Sequence, residues 1–107
     1  MEEKYVIKAL AALAQSNRLQ IFRALVLEGG EGLTPASLME RLEISANTLS
    51  FHLKELMLAD LISQERSGRN LIYRAQYDRM NAVLNFLTQN CCQGESCKPD
   101  KAIQFQC

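Results

Sequence analysis

Residues 90–97 read NCCQGESC and carry three cysteines, Cys91, Cys92 and Cys97, within seven positions. A fourth, Cys107, is the last residue, and none occurs in the first ninety positions. Clustered thiolates are soft ligands and select thiophilic ions. Cys91 and Cys92 are adjacent, which rarely permits an unstrained disulfide between them, although both can share one ion. Gly94 and Ser96 let the chain fold back and bring in Cys97. Other chemistries remain open to the same residues. An all-thiolate zinc site is one, although the usual paired C-x-x-C spacings are missing. Disulfide-based redox switching and an inert, reactive tail are others. Cys107 is read as dispensable.

These thiols follow a body of helical and hairpin patterns. Residues 3–14 carry Tyr5, Val6, Ile7, Leu10 and Leu13, interrupted by Lys4 and Lys8, which predicts a helix with a wide apolar face. Ser16 is read as the N-cap of NRLQIFRALVLE, and Gly29, Gly30 and Gly32 as its C-cap and following loop. Thr34 before Pro35 starts a short helix whose buried side is Ala36, Leu38, Met39 and Leu42. After Glu43-Ile44, Ser45 caps a second helix, ANTLSFHLKELMLAD, with Leu49, Leu53, Leu56 and Met57 at helical spacing. Two helices joined so tightly form a helix-turn-helix. Residues 61–75 then hold two β-prone runs around Ser67-Gly68-Arg69-Asn70, a hairpin. Residues 77–89 are helical again, with Met80, Val83, Leu84 and Leu87 on one side, and after Asn90 the apolar period stops.

The expected fold is therefore mainly α with a small β-hairpin, a winged helix-turn-helix. Residues 1–90 form the domain and residues 91–107 a cysteine-containing tail. At 107 residues there is room for one compact domain with a modest core, which subunit association commonly supplements.

A recognition helix puts its N-terminal residues into the major groove. Those are Ser45, Ala46, Asn47, Thr48, Ser50, Phe51, His52 and Lys54, and residues 44–54 include no acidic side chain to repel phosphates. Asn47 suits an adenine edge, Ala46 a thymine methyl, and Thr48 and Ser50 either bases or phosphates. Lys54 and the hairpin arginines Arg66, Arg69 and Arg74, clustered near the tip and return strand, suit the DNA backbone or minor groove. Formal net charge is zero, so any such affinity depends on where the charge sits. His52, the only histidine, is assigned a structural or DNA-proximal role in preference to a ligand role. An enzyme is not expected, because nothing pairs a nucleophile with a base unless the tail reaches back to residue 52. No stretch approaches the roughly 20 apolar residues of a membrane span. The start MEEKYVIKALAALA is acidic where a secretion signal is basic, so a cytoplasmic location is expected.

The runs ALAQSNRLQIFRAL, ISANTLSFHLKELMLADLI and RSGRNLIYRA resemble the ArsR–SmtB family of small bacterial repressors over about residues 5–90. The most specific parts are S-x-x-T-L-S-x-H-L-K-x-L and the wing's R-x-G-R-x-x-x-Y. The resemblance implies a homodimer held by the first and last helices. Each subunit would read half of an inverted repeat in double-stranded operator DNA and let go when a metal binds. Tyr5, Leu10, Leu13, Val83, Leu84 and Leu87 are candidates for the dimer face, and each equally suits an intramolecular core.

The family places its inducer site in several locations. A cysteine pair at the start of the first helix of the helix-turn-helix has no counterpart here, since the region of Thr34 and Ala36 lacks cysteine. A set of Asp, Glu and His ligands along the last helix is also missing, since that helix has Asp78 but neither histidine nor a further carboxylate. The tail remains, and some arsenic-responsive members carry their cysteines there. As(III) and Sb(III) bind three thiolates in a shallow pyramid, which fits Cys91, Cys92 and Cys97 without histidine. The expectation is a repressor released by As(III) or Sb(III). Other thiophilic metals (Cd, Hg, Pb) or an oxidant acting through the same cysteines are the alternatives.

Overall fold

In a computed structural model that describes residues 1–89, the elements run α1 (Glu3–Leu13), α2 (Ser16–Glu28), α3 (Pro35–Leu42), α4 (Ala46–Leu58), β1 (Ile62–Ser67), β2 (Asn70–Ala75) and α5 (Tyr77–Thr88). The expectation of a mainly α winged helix-turn-helix with one hairpin holds. The domain boundary at 90/91 and the tail cysteines Cys91, Cys92 and Cys97 lie outside the described residues.

Local chemistry sets most helix starts. The Thr34 hydroxyl accepts the Ser37 N–H at 3.2 Å, with Pro35 in the first turn where its missing N–H is harmless. The Ser45 hydroxyl accepts the Thr48 N–H at 3.2 Å and donates to the Thr48 hydroxyl at 3.0 Å. α2 differs from expectation. Its cap is Gln15, whose side-chain oxygen accepts the Arg18 N–H at 2.9 Å, while Ser16 is already helical and its hydroxyl accepts from Gln20. Between α3 and α4, Glu43 takes a left-handed conformation (φ 55°) that ends α3 and turns the chain into α4.

The hairpin pairs Ile62 with Ala75 through to Ser67 with Asn70. Gly68 (φ 65°) supplies the positive φ that tight two-residue hairpin turns require. A further contact was not legible in the sequence. Leu33 pairs with Tyr73 through two backbone hydrogen bonds, of 2.9 and 2.8 Å, so the stretch before α3 lies along β2. Gly32 (φ 73°) makes this approach feasible. A Cβ there would lie 2.5 Å from the Ile72 methyl and 2.8 Å from the Tyr73 carbonyl oxygen.

The core joins every element. Ile21 and Leu25 of α2, Leu38 of α3, Leu49 and Leu56 of α4, Leu61 before β1 and Val83 of α5 are fully buried. Ala36, expected on the buried side of α3, is exposed, and Leu38 carries that contact. Val83, a candidate for the dimer face, is likewise part of its own subunit's core.

Candidate nucleic-acid interface

α4 divides cleanly into two faces. Leu49, His52, Leu53 and Leu56 are buried and hold the helix to the body. Ala46, Asn47, Ser50, Phe51 and Lys54 are exposed, and Asn47, Ser50, Phe51 and Lys54 follow one another at the spacings that form a single helical stripe. This stripe starts at the free N-terminal end of the helix, the end that a helix-turn-helix offers to a groove. Thr48 is half-buried and shares its hydroxyl with the Ser45 cap, so its first task is to shape the start of α4.

His52 departs from the groove-facing set. Its side chain is 7% exposed and its Nδ1 lies 3.2 Å from the Arg18 guanidinium. His52 follows the exposed Phe51 by one residue, a rotation of about 100° that takes it off the stripe and onto the buried side. Burial, then the charge of Arg18, lowers its pKa from the ordinary 6.5, and Glu55 opposes the shift. The histidine is therefore a neutral structural group between α2 and α4, the structural half of its expected role.

The wing arginines separate in the same way. Arg66 and Arg69 are exposed at the hairpin tip. Arg74 pairs with Ser63 near the base, so it does not join a cluster at the tip. Its Nε donates to the Gly30 carbonyl at 2.7 Å and its Nη1 to the Glu65 carboxylate at 2.6 Å. Arg74 thus braces the wing against the loop after α2. Its charge is engaged before any phosphate approaches. A shallow groove of about 320 Å³ runs between helix and wing, lined by Ser50, Lys54, Met57, Gln64 and Tyr73. The Tyr73 hydroxyl accepts from Gln64 at 2.7 Å, which fixes β1 against β2 beside Lys54.

Elsewhere, α1 lies against α5, with the Arg79 guanidinium 5.9 Å from the Tyr5 ring centroid. Tyr5, Ile7 and Leu10 on α1 and Leu87 on α5 remain exposed at 43%, 56%, 41% and 56%. Among the described residues, no group of three His, Cys, Asp or Glu side chains is placed to hold a metal ion. No helix among them is long and apolar enough to cross a membrane.

Residues 13–65 match a family model described as a helix-turn-helix domain. No curated protein matches the sequence. Solved structures are similar over most of the chain. An ArsR-like transcriptional regulator from Rhodococcus sp. RHA1 superposes with a TM-score of 0.75 at 25% identity, over 85% of this chain and 83% of that one. The transcriptional repressor BigR from Xylella fastidiosa gives 0.62 at 25% identity, over 86% and 88%. A homodimeric winged helix-turn-helix DNA-binding domain from Mycobacterium bovis gives 0.65 at 23% identity, over 88% and 87%, a likeness of fold.

Proposed function

We propose that the chain, which is similar to ArsR-type transcriptional regulators and carries a winged helix-turn-helix, is a homodimeric repressor of operator DNA. We propose further that As(III) or Sb(III), taken up by Cys91, Cys92 and Cys97, releases it. The observation that carries the DNA part is the exposed face of α4, where Asn47, Ser50 and Lys54 stand on one acid-free stripe, together with the exposed Arg66 and Arg69 of the wing tip. Bases are read from the stripe and phosphates are met by Lys54 and the wing. The cytoplasm, which holds both DNA and reduced thiols, is the expected place of action.

Dimerisation is supported by the exposed apolar side chains of α1 and α5, which lie side by side, and by the homodimeric state of the Mycobacterium bovis neighbour. The inducer assignment rests on the donor set. Three thiolates within seven residues match the three-sulfur preference of trivalent arsenic and antimony. The chain reaches these thiols directly from α5, whose Met80 and Val83 are anchored in the core. A constraint at the end of α5 is therefore felt at the α1–α5 face that sets the spacing of the two reading heads. A coupling of roughly 1–3 kcal/mol gives a many-fold loss of DNA affinity.

Fluorescence anisotropy of a labelled duplex from the promoter next to the coding sequence tests the reading. Reduced protein should bind with steep salt dependence and dissociate as arsenite is added. Binding that ignores salt removes the DNA reading. Binding that ignores arsenite but yields to cadmium or to an oxidant transfers the inducer role to those agents.

A further inference from the structure

Phe51 is the one large apolar side chain in the first half of α4 that points outward. The residue is 57% exposed, while Leu49 and Leu53, its large apolar neighbours along the helix, are buried. Its exposed companions on the stripe are polar or cationic, Asn47 one turn earlier, Ser50 beside it and Lys54 three positions on, while the acidic Glu55 four positions on is half-buried. The ring is also braced. It meets the His52 imidazole edge-on at 5.3 Å and 66°, and His52 is itself held by Arg18.

From this geometry we infer that Phe51 is a specificity-determining residue that packs on the C5 methyl of a thymine in the major groove, once in each half-site. The inference rests on the DNA-binding reading above. In the major groove the thymine methyl is the apolar group that distinguishes one base edge from the others. An aromatic ring on the groove-facing stripe gains from leaving water only against such a group. A protein partner is the rival occupant, since Leu58 is also exposed, at 53%, two turns along the same side. The exposed neighbours of Phe51 on the stripe, Asn47, Ser50 and Lys54, carry no acid, and Glu55, four positions on, is half-buried, which suits a phosphate-walled groove better than a protein face. Asn47, a turn nearer the start of the helix, is placed to read the edge of a neighbouring base pair.

The test uses the full chain and a duplex that it selects from a random-sequence library. Each symmetric pair of thymines in that duplex is then replaced by deoxyuridine, which removes only the methyl group. For the wild type, one pair should weaken binding by about fourfold per half-site, the size expected for one buried methyl. Phe51→Ala should bind the thymine and deoxyuridine duplexes alike, with an unchanged salt slope and unchanged melting temperature. Phe51→Leu should retain part of the preference. The inference is overturned if no deoxyuridine pair weakens wild-type binding, or if Phe51→Ala shows the same drop. It is equally overturned if Phe51→Ala changes only the oligomeric mass, which would make Phe51 a protein contact. Failure to select any duplex above salt-sensitive background would remove the operator-binding reading itself, a result distinct from specific binding that is indifferent to the methyl.

Discussion

The Arg18 guanidinium joins three helices: its Nη1 lies 3.2 Å from the Nδ1 of His52 on α4, while its Nε donates to the Ala12 carbonyl of α1 at 2.7 Å. Because arginine has no acceptor, the His52 Nδ1 must be the acceptor, and the imidazole is neutral with its proton on Nε2. The recognition helix is thus fixed to α1, the helix at the proposed dimer face, through one side chain.

Removing the bridge should loosen α4. Arg18→Met keeps much of the stem and deletes the donors, leaving the Ala12 carbonyl and the His52 nitrogen unpaired. A loss of about 1–3 kcal/mol in urea unfolding is expected. DNA affinity should fall as well, although Arg18 is set apart from the reading face. Unchanged unfolding midpoints would mean that water replaces the bridge at no cost.

Acid should act through the same pair. Burial and Arg18 lower the folded-state pKa of His52 below 6.5. The unfolded chain then takes up a proton that the folded chain refuses. The histidine's contribution is complete above about pH 6.5 and is lost as pH falls towards the lowered folded value. Urea midpoints measured from pH 7.5 down to 5 should drop for the wild type, and His52→Gln should flatten that part of the profile.

Gly32 and Gly68 both have positive φ but differ in surroundings. Gly32→Ala meets the Ile72 methyl and the Tyr73 carbonyl, whereas Gly68→Ala points into open space. Gly32→Ala should cost about 2–4 kcal/mol, from the left-handed backbone and the overpacking together. Gly68→Ala should cost about 1 kcal/mol from the backbone alone. Thermal melts of the two variants compare these figures directly, and equal losses would remove the role assigned to the Leu33–Tyr73 pairing.

The cations divide into free and engaged groups. Lys54→Gln and Arg69→Gln should each weaken binding to all duplexes and reduce the salt slope by about 1. Arg74→Gln should instead lower the melting temperature, since it frees the Gly30 carbonyl and Glu65, and leave the salt slope near its original value. A slope change for Arg74→Gln equal to that for Arg69→Gln would return it to the phosphate-contacting set.

Much of this was legible in residue types. Thr34-Pro35 and Ser45 announced their helices because a hydroxyl before an apolar period has one common use. Ser67-Gly68-Arg69-Asn70 announced the hairpin because a glycine between two β-prone runs supplies the positive φ of a tight turn. What escaped was long-range. Gln15, which takes the cap in place of Ser16, is the local exception, its side-chain oxygen accepting the Arg18 N–H three positions on. His52 and Arg74 carry the residue types of a DNA surface, yet their roles depend on Arg18, Gly30 and Glu65. Of these, Arg18 and Gly30 are tens of positions away in the chain. The Leu33–Tyr73 pairing has no local signature beyond Gly32. Helix periodicity does contain a signal for His52: it falls in step with Leu49, Leu53 and Leu56, on the buried side.

The central claim is that thiophilic occupation of the three tail cysteines ends DNA binding. Arsenite titrated into fully reduced protein, with thiolate–arsenic absorbance and release from duplex DNA followed together, tests it most directly. The account predicts that both signals rise together in the wild type and that Cys91→Ser, Cys92→Ser and Cys97→Ser each abolish release, while Cys107→Ser does not. Arsenic absorbance without release, or release that survives all three substitutions, would contradict it.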